Sequence, residues 1–194
     1  MRAKLKFIIL LFPLFCLLST ACTKNDLVGE FYLTDEMKNQ NPYLEGQDVS
    51  FVDNNGDTIL FVISKQNNII EAQISSNSST YNLFEEEKTS LKSDSISLQI
   101  KMYYEPHREP LLDFYIGQTN SYMLFNMFQI PLTYSNTPRV MSIEINGKWY
   151  YQVYYFENNY NQNAIIYYST EYGILRVEFD NGDFIDYVEL NQES

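Results

Sequence analysis

The chain has 194 residues, 45% of them hydrophobic, and a formal net charge of −12. That length suits one domain with a substantial core, and so acidic a chain repels nucleic acid and anionic lipid headgroups alike. With two cysteines and one histidine, no disulfide framework, structural metal or other cofactor is expected.

Residues 1–21 read as a secretory signal peptide. Arg2, Lys4 and Lys6 form a basic start, residues 7–18 are an apolar run broken at Pro13, and Ser19-Thr20-Ala21 is a small-residue exit before Cys22. The positive end stays on the cytoplasmic side while the apolar run enters the bilayer. The run is shorter than the roughly 20 apolar residues a spanning helix needs.

The segment Leu18-Ser19-Thr20-Ala21-Cys22 resembles the lipobox of bacterial lipoproteins, with Ser19 where an aliphatic residue is usual. The resemblance implies cleavage before Cys22 and lipidation of its thiol, so that the membrane is a partner through acyl chains. Two or three such chains hold a protein on a bilayer effectively for good. Thr23, in place of the aspartate that retains lipoproteins in the inner membrane, implies delivery to the outer membrane of the cell envelope. Cleavage removes three of the 13 basic residues and none of the 25 acidic ones, leaving −15 on residues 22–194.

Residues 22–40 read as a polar tether with an apolar island, Phe31-Tyr32-Leu33, and room for one helical turn at Asp35-Glu36-Met37-Lys38. Residues 41–194 read as a single antiparallel β domain, opened by a loose turn through Gly46. The load of 17 Tyr and 13 Phe favours pleated sheet. Asn55-Gly56, Asn146-Gly147 and Asn181-Gly182 each separate apolar, strand-like segments, and Asn-Gly suits a two-residue hairpin turn with positive φ at both positions. Strands are expected over 58–63 and 69–74, with a polar loop at 75–80. Ile96, Leu98, Ile100, Met102 and Tyr104 alternate with polar residues, and Leu112, Phe114 and Ile116 repeat the pattern, so each set occupies one face. The final fifty residues read as a four-strand meander that places Leu175, Val177, Phe179, Phe184, Val188 and Leu190 in the core. About ten strands at this spacing predict an all-β antiparallel meander, forming a sandwich or a partly open barrel.

The phrases Asn41-Pro42-Tyr43-Leu44-Glu45-Gly46-Gln47, Asn55-Gly56-Asp57-Thr58 and Ile166-Tyr167-Tyr168-Ser169 through Tyr172-Gly173-Ile174-Leu175 resemble uncharacterised lipoproteins of the Bacteroidota. That resemblance brings no activity with it. More loosely, curved antiparallel strands on a lipid tether are similar to the carrier proteins that shuttle lipoproteins, whose sheets are plugged by helices.

Four sets of residues invite a chemical reading. His107, between Pro106 and Pro110, would be a general base oriented by Glu105 or Glu109, but no Gly-x-Ser-x-Gly elbow accompanies it. Asp53-Asn54-Asn55-Gly56-Asp57 has the oxygen content of a calcium loop but not its glycine position, and reads as turn chemistry. Glu85-Glu86-Glu87 offers paired carboxylates for a glycan hydrolase, although a charged run suits a solvated edge strand better. Nine of the 17 tyrosines lie at or beyond Tyr150, six of them in the adjacent pairs Tyr150-Tyr151, Tyr154-Tyr155 and Tyr167-Tyr168, each of which sends one ring to each face. Outward rings would form a platform for a glycan or an envelope protein, with Tyr151, Tyr155 and Tyr168 as the expected contacts. The expectation is therefore a non-catalytic, lipid-anchored binding module.

Overall fold

The computed structural model describes residues 26–76, 78–105, 108–118, 121–133, 140–157 and 164–189. In chain order these form β1 (Asp26–Phe31), α1 (Asp35–Lys38), β2 (Asp48–Asp53), β3 (Thr58–Gln73), β4 (Thr80–Lys92), β5 (Ile96–Tyr103), β6 (Leu111–Gln118) and β7 (Ser121–Gln129). After them come β8 (Val140–Ile145), β9 (Lys148–Glu157), β10 (Ile165–Ser169), β11 (Gly173–Glu178) and β12 (Phe184–Val188).

Eleven strands make one antiparallel sheet in the order β7-β6-β5-β4-β3-β2-β12-β11-β10-β9-β8. It is two meanders joined where β12 lies against β2. Among the described residues no ladder joins β7 to β8, so the sheet stays open. The twelfth strand, β1, runs parallel to the start of β4. This is the all-β meander that the alternation predicts. Period-two burial shapes it: Leu98, Ile100, Met102, Leu112, Phe114 and Ile116 are all fully buried, on the inner face of β5 and β6. The sheet curls far enough for Phe114 of β6 to stack on Phe156 of β9, ring centroids 5.1 Å apart, and to meet Tyr168 of β10 at 5.0 Å. Strands distant in the sheet order thus share one core, as in a partly closed barrel.

A second, smaller core lies on the other face. Ile143, Ile145, Tyr150, Val153 and Leu175 form it, while Ile174, adjacent to Leu175, belongs to the main core. Neighbouring strand residues point to opposite faces, so the β8–β9 hairpin covers the outer face of the sheet at β11.

Several expectations change. From Asp26 onward the predicted tether is structured: β1 and the single turn of α1 dock on the sheet, and Leu33 is buried. The two strands expected over 58–63 and 69–74 are one, β3, because its twelve residues from Val62 to Gln73 pair without a break with β4. β4 itself, polar in sequence, is central. In β12 the buried residues are Ile185 and Asp186, with Phe184 and Val188 only half-buried. Leu190 lies outside the described residues.

The three Asn-Gly turns differ. At Asn146-Gly147 both residues have positive φ, 51° and 78°, as the two-residue turn requires. At the other two only the glycine does, with φ of 87° at Gly56 and 86° at Gly182. There Asp53 and Phe179 donate their N–H to Asp57 and Asp183 and accept from Gly56 and Gly182. These are three-residue loops closed by a left-handed glycine, the next commonest hairpin.

Candidate functional site

Glu85, Glu86 and Glu87 are all buried in β4, between β3 on one side and β1 and β5 on the other. The solvated-edge expectation is therefore overturned. A buried carboxylate needs partners, and each has them. On the inner face Glu85 accepts the Leu33 N–H at 2.9 Å and pairs with Lys38 at 2.6 Å. Glu87 accepts from Asn41 Nδ2 and pairs with Lys65, both at 3.0 Å. These bonds fasten residues 33–43 across the end of the core. Tyr168 reinforces them by donating to the Gln40 carbonyl at 2.6 Å. The Tyr43 hydroxyl accepts the Ile174 N–H at 2.8 Å, so this segment also touches β11. Glu85 and Glu87, alternate residues on one face, therefore serve as a latch for the chain's own N-terminal segment.

On the outer face Glu86 pairs with Lys101 at 2.6 Å. Near this pair Asp113 is buried, with one carboxylate oxygen accepting from Tyr103 at 2.9 Å and Tyr115 at 3.4 Å and the other without a partner. Burial raises the Asp113 pKa above the usual carboxylate range despite these hydrogen bonds. It also lifts the Tyr115 hydroxyl to about 12, with the Asp113 charge adding to the effect.

The tyrosine pairs split between the two faces, but not all of the expected rings are outward. Tyr151 is 69% exposed. Tyr155 is half-buried and stacks on Tyr167, centroids 6.0 Å apart. Tyr168 is fully buried, which removes it as a ligand contact. Tyr168 continues the inward side of Ile166 two residues before it. Trp149, which the reading of tyrosine pairs passed over, is 53% exposed. It shares a strand face with Tyr151 two residues on, and that spacing was the signal for it.

Between the tip of the β8–β9 hairpin and the paired strands β2 and β12 runs a groove of about 440 Å³, lined by Val52, Ile145, Lys148, Tyr150, Tyr187 and Glu189 among others. Lys148 pairs with Glu189 at its rim and lies 5.2 Å from the Tyr150 ring centroid and 4.8 Å from that of Tyr172. The Glu189 hydrogen bond raises the Lys148 pKa, and burial raises the pKa of Tyr150 and Tyr187. Tyrosine faces, aliphatic walls and one charged pair make a surface that can stack on a ring and hydrogen-bond its substituents.

The Asp53 carboxylate accepts the N–H groups of Asn55 and Asp57 at 2.8 and 2.9 Å and the Asn55 amide at 3.3 Å. The Asp57 bond leads in lowering its pKa, and turn chemistry accounts for the motif. Cys22 and His107 lie outside the described residues. No protein-family model, no curated protein and no solved structure matches the chain.

Proposed function

We propose that this chain is a non-catalytic binding module, held on the bacterial outer membrane by lipid on Cys22, and that its ligand is a glycan taken at the β8–β9 hairpin. The hairpin carries the reading, since it presents Trp149 and Tyr151 outward and walls the tyrosine-lined groove behind them. The Tyr150 and Tyr187 rings of that groove, beside Lys148, Glu189 and Asn146, suit the apolar face and hydroxyl rim of a sugar ring. The rival hydrolase reading rests on Glu85 and Glu87, whose oxygens hold the chain's own groups.

A glycan array followed by titration of the hits tests the ligand. Micromolar to millimolar binding that weakens at least tenfold in Trp149→Ala and in Tyr151→Ala is expected. Binding that both variants leave unchanged would move the site elsewhere. For the anchor, metabolic labelling with a palmitate analogue should fall to background in Cys22→Ala, and undiminished labelling would remove the lipoprotein reading.

A further inference from the structure

The β3–β4 hairpin is longer than the sheet that flanks it. β2 pairs with β3 only from Thr58 to Val62, and the loop before β2 extends that cover to Lys65. Ile63 donates to Gln47 and accepts from Gly46, and the Lys65 N–H is taken by Glu45. Beyond Lys65 the edge of β3 has no neighbour among the described residues. Residues 66–69, Glu71 and Gln73 are exposed there, Ile69 at 54%.

The direction of the backbone groups follows from the bonds at either end. Ile63 and Lys65 point theirs away from β4, whereas the Ile74 N–H reaches Thr80, on the β4 side. The ladder to β4 runs from Val62 to Gln73 without a register shift. By the two-residue period, Asn67, Ile69, Glu71 and Gln73 therefore present their N–H and C=O groups outward. Such a row is a template for another strand. The other free margin of this arm, β1, is protected: it is six residues long, kinked between Leu27 and Gly29, and carries Asp26 and Glu30. Nothing of that kind guards 67–73, where Glu71 is the single charge.

We infer that a second copy of this chain occupies the β3 edge, pairing antiparallel about a two-fold axis through Ile69. That register pairs Ile69 with its own copy and joins Asn67 to Glu71 of the second copy in both directions. Each of these pairs lies at outward-pointing positions and exchanges two backbone hydrogen bonds. Glu71 then faces an amide rather than its own like charge, so the pairing is self-complementary in charge as well as in hydrogen bonds. The exposed Ile69 side chains bury one another at the axis.

Two experiments on the full chain, purified in detergent, test this. Directly opposed residues of a hydrogen-bonded antiparallel pair have Cα atoms about 5.5 Å apart, within disulfide reach. Mild oxidation should therefore give a reducible dimer with Ile69→Cys and not with the parent chain. Leu60→Cys, equally exposed but on the part of β3 that β2 covers, should give no disulfide-linked dimer. Absence of the Ile69→Cys dimer, or an equal yield from Leu60→Cys, overturns the proposal. By sedimentation the parent should self-associate, and Asn67→Pro should weaken this at least tenfold at an unchanged melting temperature, because an outward N–H is not needed by the chain's own ladder. A monomeric parent, or an Asn67→Pro dimer as strong as the parent's, would equally refute it.

Discussion

The strands from β3 to β6 and those from β8 to β12 obey the same period-two alternation, yet they bury their polar residues in opposite ways. In the first region the apolar core lies on the inner face, while the outer face buries charged groups. The outer face keeps charges such as Glu86 with Lys101, and even the inner face of β4 changes from Leu91 to Glu87 and Glu85 as it leaves the core. Residues 33–43 then seal that end through ion pairs and hydrogen bonds. In the second region the β8–β9 hairpin folds back and makes the outer face apolar too. A polar strand interior is held there by Arg176, which meets Asp186 through two nitrogens at 2.5 and 2.7 Å. One pattern thus gives either a one-sided or a two-sided sheet, according to what covers the outer face.

The largest effect is expected where the two regions touch. Gly173 has φ of 83°, and a Cβ there would meet the Tyr43 ring at 2.4 Å. Gly173→Ala combines backbone strain with overpacking and should cost about 3–5 kcal/mol, read as a lower urea midpoint. A shift under about 1 kcal/mol would mean that residues 33–43 do not lie against β11.

Next comes the latch. Glu87→Ala takes the carboxylate from Lys65 and Asn41, leaving them only the Tyr43 carbonyl and the Thr89 hydroxyl, and should cost about 2–4 kcal/mol, close to the loss from Leu175→Ala in the second core. If only Leu175→Ala destabilised the chain, the contrast between a polar and an apolar seal would fail.

The turns sharpen the comparison further. Gly182→Val forces a β-branched residue to φ of 86° and should cost about 1–3 kcal/mol. From sequence Gly46 sits in a looser turn and should matter less, but its φ is 73° with open space around it, as at Gly182. The two valine variants should therefore unfold at similar urea concentrations.

A smaller effect concerns pH. Asp113 keeps its proton to a higher pH in the folded chain than in the unfolded one, because burial raises its pKa. Stability from this group is thus full below the ordinary carboxylate pKa and declines as pH rises through the window above it. Asp113→Asn should flatten that decline and raise the melting temperature at neutral pH by a few degrees, about 1 kcal/mol. A variant melting lower than the parent at pH 7 would show that the ionised carboxylate is favoured there. The smallest effect on stability belongs to Trp149→Ala, which should stay within about 0.5 kcal/mol because the ring is exposed.

Some of this was legible in the residues themselves. Alternation of Leu98, Ile100 and Met102 with polar neighbours sets their inward direction whatever they pack against, since the pleat fixes it. The C-terminal strands, bounded by Gly173 and Asn181-Gly182, were legible for the same local reason: turn residues and period two act over a few residues. β4 was not, because Glu85-Glu86-Glu87 looks solvated until Lys38, Lys65 and Lys101 are brought from elsewhere in the chain. Which ring of each tyrosine pair points outward was equally undetermined. A one-residue register shift exchanges the faces, and the shift that falls between Tyr150 and Val153 of β9 exists only in its pairing with β8. Burial of charge and choice of register depend on partners far apart in sequence, so only the tertiary structure decided them.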